Sequence, residues 1–192
     1  MRAELYNVTV PAVHRRTRVS SIALLAVVTG MALGLSWTRA GQLLSDRVRP
    51  PGWPASFRPP AGFGHAETDA NAVHASYQYV RRTPGGGLAV FEARHMRLEP
   101  RTDPLDVCRD ALARRSGPLQ RIFGQGFRRP QRERLGGLDA VELMNGTETA
   151  VARATVLASG DAIIVSLTTN GVSLNRALYR VFDLVCASVR FH

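Results

Sequence analysis

Thr147-Glu148-Thr149-Ala150-Val151-Ala152-Arg153-Ala154-Thr155-Val156-Leu157-Ala158, then Ser159-Gly160-Asp161, then Ala162-Ile163-Ile164-Val165-Ser166-Leu167-Thr168-Thr169: the reading of this stretch decides the fold. Two runs rich in β-branched residues flank a Ser-Gly-Asp break, the composition of an antiparallel hairpin. The dense apolar run Ile163, Ile164, Val165 and Leu167 places its second strand centrally in a sheet.

Toward the N-terminus, Leu135-Gly136-Gly137-Leu138-Asp139-Ala140-Val141-Glu142-Leu143 reads as a turn leading into a strand, after a polar, Arg-rich stretch at Arg128–Arg134. Between that strand and the hairpin, Asn145-Gly146-Thr147 matches a glycosylation sequon, but Asn-Gly is also turn chemistry, and we read it as a turn. On the other side, Ser173 is placed as the cap of a helix from Leu174 to about Val189, with Leu174, Leu178, Val181, Val185 and Val189 as its buried stripe. Farther upstream a second helix is signposted by Thr102 or Asp103 as N-cap, Pro104 at the first helical position, Asp106 in the first turn and Arg114-Arg115 at the end. Gly117-Pro118 stops it. Strand-like runs at His74–Arg82 and Leu88–Leu98 are joined by Thr83-Pro84-Gly85-Gly86-Gly87. This is a hairpin loop: it lacks the Gly-Lys-Ser/Thr ending and the following helix of a phosphate loop. Strands, helix, strands, helix predict an α+β domain over residues 53–192, a mainly antiparallel sheet with two packed helices.

Ahead of the domain, residues 39–62 are rich in proline (Pro50, Pro51, Pro54, Pro59, Pro60) and read as an extended stalk, with an edge strand around Ala55–Arg58. Trp53 and Phe57 are expected to dock on the domain. Before the stalk, residues 19–38, from Val19 to Thr38, carry no charge. As a helix they extend about 30 Å, the thickness of a bilayer's hydrocarbon core. We read them as a transmembrane signal anchor contacting the lipid bilayer, preceded by a short basic leader over 1–18. Thr38-Arg39-Ala40 leaves cleavage open as the alternative. His14-Arg15-Arg16-Thr17-Arg18 favours a cytoplasmic N-terminus, although Arg39, Arg47 and Arg49 oppose that bias. The expectation is a cell-membrane, single-pass protein with its C-terminal domain on the periplasmic or envelope side.

The chain has 192 residues and a formal charge of +10. All 25 basic residues are arginine, spread along the chain and often next to carboxylates, as in Glu92/Arg94 and Arg132/Glu133/Arg134. No aromatic residues interleave with a basic stripe, so specific nucleic-acid binding is not expected.

Cys108 and Cys186 fall on the two helices. In an oxidising compartment they are disulfide candidates, which requires both helices to pack on one side of the sheet; two buried free thiols are the alternative. His14, His65, His74, His95 and His192 have no metal-ligand spacing. His65 with Glu67 and Asp69 is a loose polar cluster, and Asp103 and Asp106 serve the helix start. No catalytic, cofactor-binding or metal constellation is expected.

The phrase Trp53-Pro54-Ala55-Ser56-Phe57-Arg58-Pro59-Pro60-Ala61-Gly62-Phe63 and the Leu135-Gly136-Gly137-Leu138-Asp139-Ala140-Val141 segment resemble PsbP/Mog1-like domains. That resemblance covers residues 53–192 and implies a small α+β sandwich whose members share no catalytic site. It therefore implies a binding or assembly module with an unknown protein or ligand partner. The alternative is an enzyme whose site assembles from distant residues: Cys108 or Cys186, or His74/His95 with Glu92. A third reading is a protein that binds an anionic polymer or lipid through its arginines.

Overall fold

In the computed structural model, residues 43–70, 74–84, 86–113, 126–170 and 172–192 are described. The leader 1–18 and the span 19–38 lie outside the described residues, as does the helix stop at Gly117-Pro118. Among the described residues no helix is long and apolar enough to cross a membrane.

Seven strands form one antiparallel sheet: β2 (Gly64–Ala70), β3 (His74–Arg82), β4 (Leu88–Arg97), β5 (Gln131–Leu135), β6 (Leu138–Met144), β7 (Ala150–Val156) and β8 (Asp161–Thr169). Their order is β2-β3-β4-β8-β7-β6-β5. The expected hairpin is β7–β8, in register from Ala150 opposite Thr168 to Val156 opposite Ala162. Strand β8 occupies the middle of the sheet, and Ala162–Thr169 are all buried. The reason is a helix on each face. Side chains alternate between faces along a strand, so Ile163, Val165 and Leu167 join one apolar cluster and Ala162 and Ile164 another.

Helix α1 (Pro104–Ala113) packs on the second cluster. Asp103 accepts from the Leu105 N–H at 2.9 Å, an N-terminal cap as expected. Ala150, Ala152 and Ala154 of β7 keep the sheet low beneath it, close enough for the Cys108 thiol to meet the Val141 carbonyl at 3.3 Å. Helix α2 (Arg176–Ser188) covers the opposite face with Leu178, Phe182, Val185 and Cys186. It starts two residues later than Ser173 predicts, because Asn175 supplies the cap: its Oδ1 accepts from the Leu178 N–H at 2.9 Å. The buried stripe is accordingly rotated toward Phe182 and Cys186, and Val181 lies only half-buried.

Two segments not assigned as strands from the sequence are strands. Strand β2 has the polar sequence Gly-His-Ala-Glu-Thr-Asp-Ala, and β5 falls within the Arg-rich stretch; both are sheet edges, where apolar residues are not required. Across the β5–β6 turn Leu135 faces Leu138, with Gly136 and Gly137 at φ of +60° and +89°, the backbone of a two-residue hairpin turn.

The stalk expected over 39–62 is not extended from Leu43 onward. Val48 and Phe57 exchange backbone hydrogen bonds at 2.7 and 3.0 Å, the Ser45 N–H donates to Pro59 and that of Ala61 to Leu43, so the segment doubles back on itself. The prolines supply acceptors only, which suits such a margin. Strand β1 (Ala55–Ser56) then pairs with β9 (Arg190–Phe191) at the C-terminus. Trp53 and Phe57 dock as expected, against Tyr77 and Tyr79 of β3, with ring centroids 5.5 Å (Trp53–Tyr77) and 6.4 Å (Phe57–Tyr79) apart.

Candidate functional site

Three polar arrangements stand out, all on the sheet face that carries α2. The deepest begins with register. Glu142 of β6 lies directly opposite Arg153 of β7, both side chains beneath α2. Arg153 donates Nε–H to Glu142 Oε2 at 3.0 Å and a second hydrogen bond to the same oxygen from its terminal nitrogen. It also reaches Asp183 at 2.7 Å and the Arg134 carbonyl at 3.2 Å, with its guanidinium 5.2 Å above the Phe182 ring. Tyr179, one turn before Asp183, donates its hydroxyl to Glu142. Burial, and then the Glu142 carboxylate that accepts the hydroxyl proton, push the Tyr179 pKa upward. Every strong donor and acceptor here has a protein partner, so the network joins α2 to the sheet.

The second arrangement joins Ser159, Asp161 and His95. Across β4 and β8, Arg97 faces Asp161 and His95 faces Ile163, which makes Asp161 the diagonal neighbour of His95. The distance from His95 Nε2 to Asp161 Oδ1 is 2.8 Å, and Ser159 donates to Oδ2 at 2.7 Å. These two hydrogen bonds, Ser159 first, lower the Asp161 pKa. The carboxylate stands between hydroxyl and imidazole, so the imidazole is not placed to take the serine proton. Trp53 packs on His95 at 5.7 Å.

The third is an open groove of about 1190 Å³ beside α2. Leu43, Pro84, Val172, Ala177 and Val181 make its apolar lining, and Arg81, Arg176 and Arg180 its charged rim. Tyr179 and Asp183 place the edge of the buried network on the same wall. Among the described residues none of the three arginines is paired with a carboxylate. Arg81 is steadied by the Phe63 ring, 5.1 Å from its guanidinium carbon.

Cys108 and Cys186 do not pair: both are free and buried. They belong to separate apolar clusters on opposite sides of the sheet, so the condition for a bridge, both helices on one side, is not met. Burial pushes the Cys108 thiol up to about 12 and moves Cys186 in the same direction, which leaves both poor nucleophiles at neutral pH. Of the histidine route to an enzyme, the His95–Glu92 arm is not assembled. His95 and Glu92 lie three residues apart on β4 and point to opposite faces; Glu92 pairs with Arg94 at 2.9 Å. The side chains of His74, Glu67 and Asp69 lie outside those described. His65 packs on the rings of Tyr77 and Tyr79, and no group of three metal-ligating side chains occurs among the described residues. Asn145 is buried, with its Oδ1 accepting from the N–H groups of Thr149 and Ala150 at 2.9 Å, so the turn reading of the sequon stands.

No family model and no curated protein matches the chain. Among solved structures it is similar to the solution structure of cyanobacterial PsbP (CyanoP) from Synechocystis, with a TM-score of 0.51, 14% sequence identity, and coverage of 79% of this chain and 94% of that one. The fold is PsbP-like. The resemblance read in Trp53–Phe63 and Leu135–Val141 holds at the level of the fold, to which identity this low confines it.

Sequence reasoning missed both the groove and the buried network of this PsbP-like domain. For the network a signal existed: Arg153 is a lone charge inside an apolar strand, and Glu142 holds the same position in the neighbouring one. For the groove there was none, because Arg81, Arg176 and Arg180 meet only once β3 and α2 are placed together.

Proposed function

We propose that the protein is a single-pass membrane-tethered PsbP-like domain, displayed outside the cytoplasm, that acts by binding or assembly rather than by turning over a substrate. The observation that carries this reading is the groove beside α2. It has an apolar lining and three arginines without carboxylate partners among the described residues. Concave surfaces of this kind capture ligands. Support also comes from the polar groups with chemical potential: the Arg153 network is saturated by its own members, and Asp161 holds His95 and Ser159 on separate oxygens. The charge-free span 19–38 supplies the tether, and the basic leader keeps the N-terminus in the cytoplasm.

Fractionation of cells making the full chain, with carbonate extraction, protease protection and mass measurement, tests the placement. The chain is expected to resist carbonate, to keep its leader, and to lose the domain to protease added from the outer side. Release by carbonate, or a mature chain beginning after Thr38, overturns the tether. Substrate turnover by the purified protein overturns the binding role.

A further inference from the structure

We propose that the groove beside α2 rests on anionic lipid headgroups of the membrane that holds the chain. The proposal depends on the tethered reading above and names the partner of that groove.

Length carries the first part. A stalk over 39–62 would hold the domain well clear of the bilayer, but the chain belongs to the domain from Leu43. Only Arg39 to Gln42 separate it from the span. Four residues reach about 14 Å at full extension. The headgroup layer takes up roughly 6 Å of that on each side of the hydrocarbon core. About 8 Å remain, one Debye length at physiological ionic strength, so charges on the adjoining face act on the headgroups with little screening. Leu43 itself lines the groove, so the tether enters the domain on the face with Arg81, Arg176 and Arg180.

Chemistry carries the second part. Guanidinium groups bind phosphate oxygens in a fork, and these three are exposed. Val172, 39% exposed, stands in the same groove. Basic side chains with protruding aliphatic ones suit an interface of phosphate above acyl chain. An acidic protein would match the charge but would have to enter the gap of about 8 Å left by the tether, and that favours lipid.

The test uses the full chain carrying Val172→Cys labelled with an environment-sensitive fluorophore, since both native thiols are buried. It is reconstituted in nanodiscs of phosphatidylcholine, with or without phosphatidylglycerol. Acrylamide quenching of the label is expected to fall several-fold with the anionic lipid, and the protection to be lost at high salt. In R81Q/R176Q/R180Q the docked-to-undocked ratio is expected to drop by up to about a hundredfold, with an unchanged urea midpoint because the three side chains are exposed. Equal quenching in both lipids, or a triple variant that matches the parent, overturns the proposal. So does protection found in native membranes and missing in anionic nanodiscs, which would assign the groove to a protein. If carbonate strips the chain from membranes, the tether fails on its own. The groove is then read by flotation of the released chain: binding to phosphatidylglycerol vesicles that the triple variant lacks upholds the lipid assignment, and no binding overturns it.

Discussion

Replacing Arg153 by methionine should destabilise the domain far more than any exposed arginine would, and the size follows from what is left behind. Arg153 and Glu142 are each 4% exposed. The substitution removes a cation that holds Glu142 by two hydrogen bonds and Asp183 by one, and leaves the Glu142 carboxylate buried, with the Tyr179 hydroxyl still donating to it. Asp183 is half-exposed and regains water, so its loss adds little. Stranding one member of a buried pair costs about 3–5 kcal/mol, a large share of the roughly 5–15 kcal/mol that stabilises a typical domain. At about 2–4 °C per kcal/mol for a chain of this size, the Tm should fall by roughly 6–20 °C. Urea titration followed by circular dichroism gives the free energy directly. The decisive comparison is the double variant E142Q/R153M, in which no charge is stranded and the glutamine still accepts from Tyr179. Most of the loss should return. A single variant that costs less than about 1 kcal/mol, or a double variant no better than the single, refutes the view that this pair is fully desolvated.

Gly136→Ala should cost about 2–4 kcal/mol by urea titration, because its φ is positive and a Cβ would stand 2.6 Å from the Val189 carbonyl oxygen. Gly137→Asn, with nothing within 4 Å, should cost under about 1 kcal/mol; equal losses would refute the close approach. Asp161 has a folded pKa below its unfolded value of about 3.9, so its contribution is present above about pH 5 and fades as pH falls through 4 toward the folded value. The stability gap between the parent and Asp161→Asn should therefore narrow on acidification, and a gap constant from neutral pH to about pH 3 would contradict the His95–Asp161–Ser159 geometry. A chromogenic thiol reagent should find almost no reactive cysteine in the native chain and both cysteines in denaturant without reductant; none in denaturant would restore the disulfide.

What was legible in the sequence was whatever local chemistry decides. Ser159-Gly160-Asp161 between two β-branched runs could be little else than a hairpin, and Asp103-Pro104 fixes a helix start whatever the helix packs on. The edge strands were illegible because β2 and β5 need no apolar face, and their alternating polar residues look like loop. The stalk was misread for a related reason. Proline reports that an N–H is missing, not that the chain is extended, and Pro59 still offers the carbonyl that ties down Ser45. The Cys108–Cys186 question turned on which face each helix covers, a fact of topology that no spacing contains. The candidate site was legible least of all, since its arginines come from β3 and α2, about a hundred residues apart.

The pairing of β1 with β9 sets a timetable. Ala55 meets Phe191, and the His192 N–H donates to the Pro54 carbonyl, so the clasp beside Trp53 and Phe57 joins two segments far apart in the sequence. On a ribosome or in a translocation channel, the aromatic flank of β3 emerges early and its cover cannot lock until Phe191 and His192 have emerged. A stall or truncation a few residues short of His192 would thus leave a finished sheet with an unfastened hydrophobic side, a form suited to recognition by chaperones or proteases.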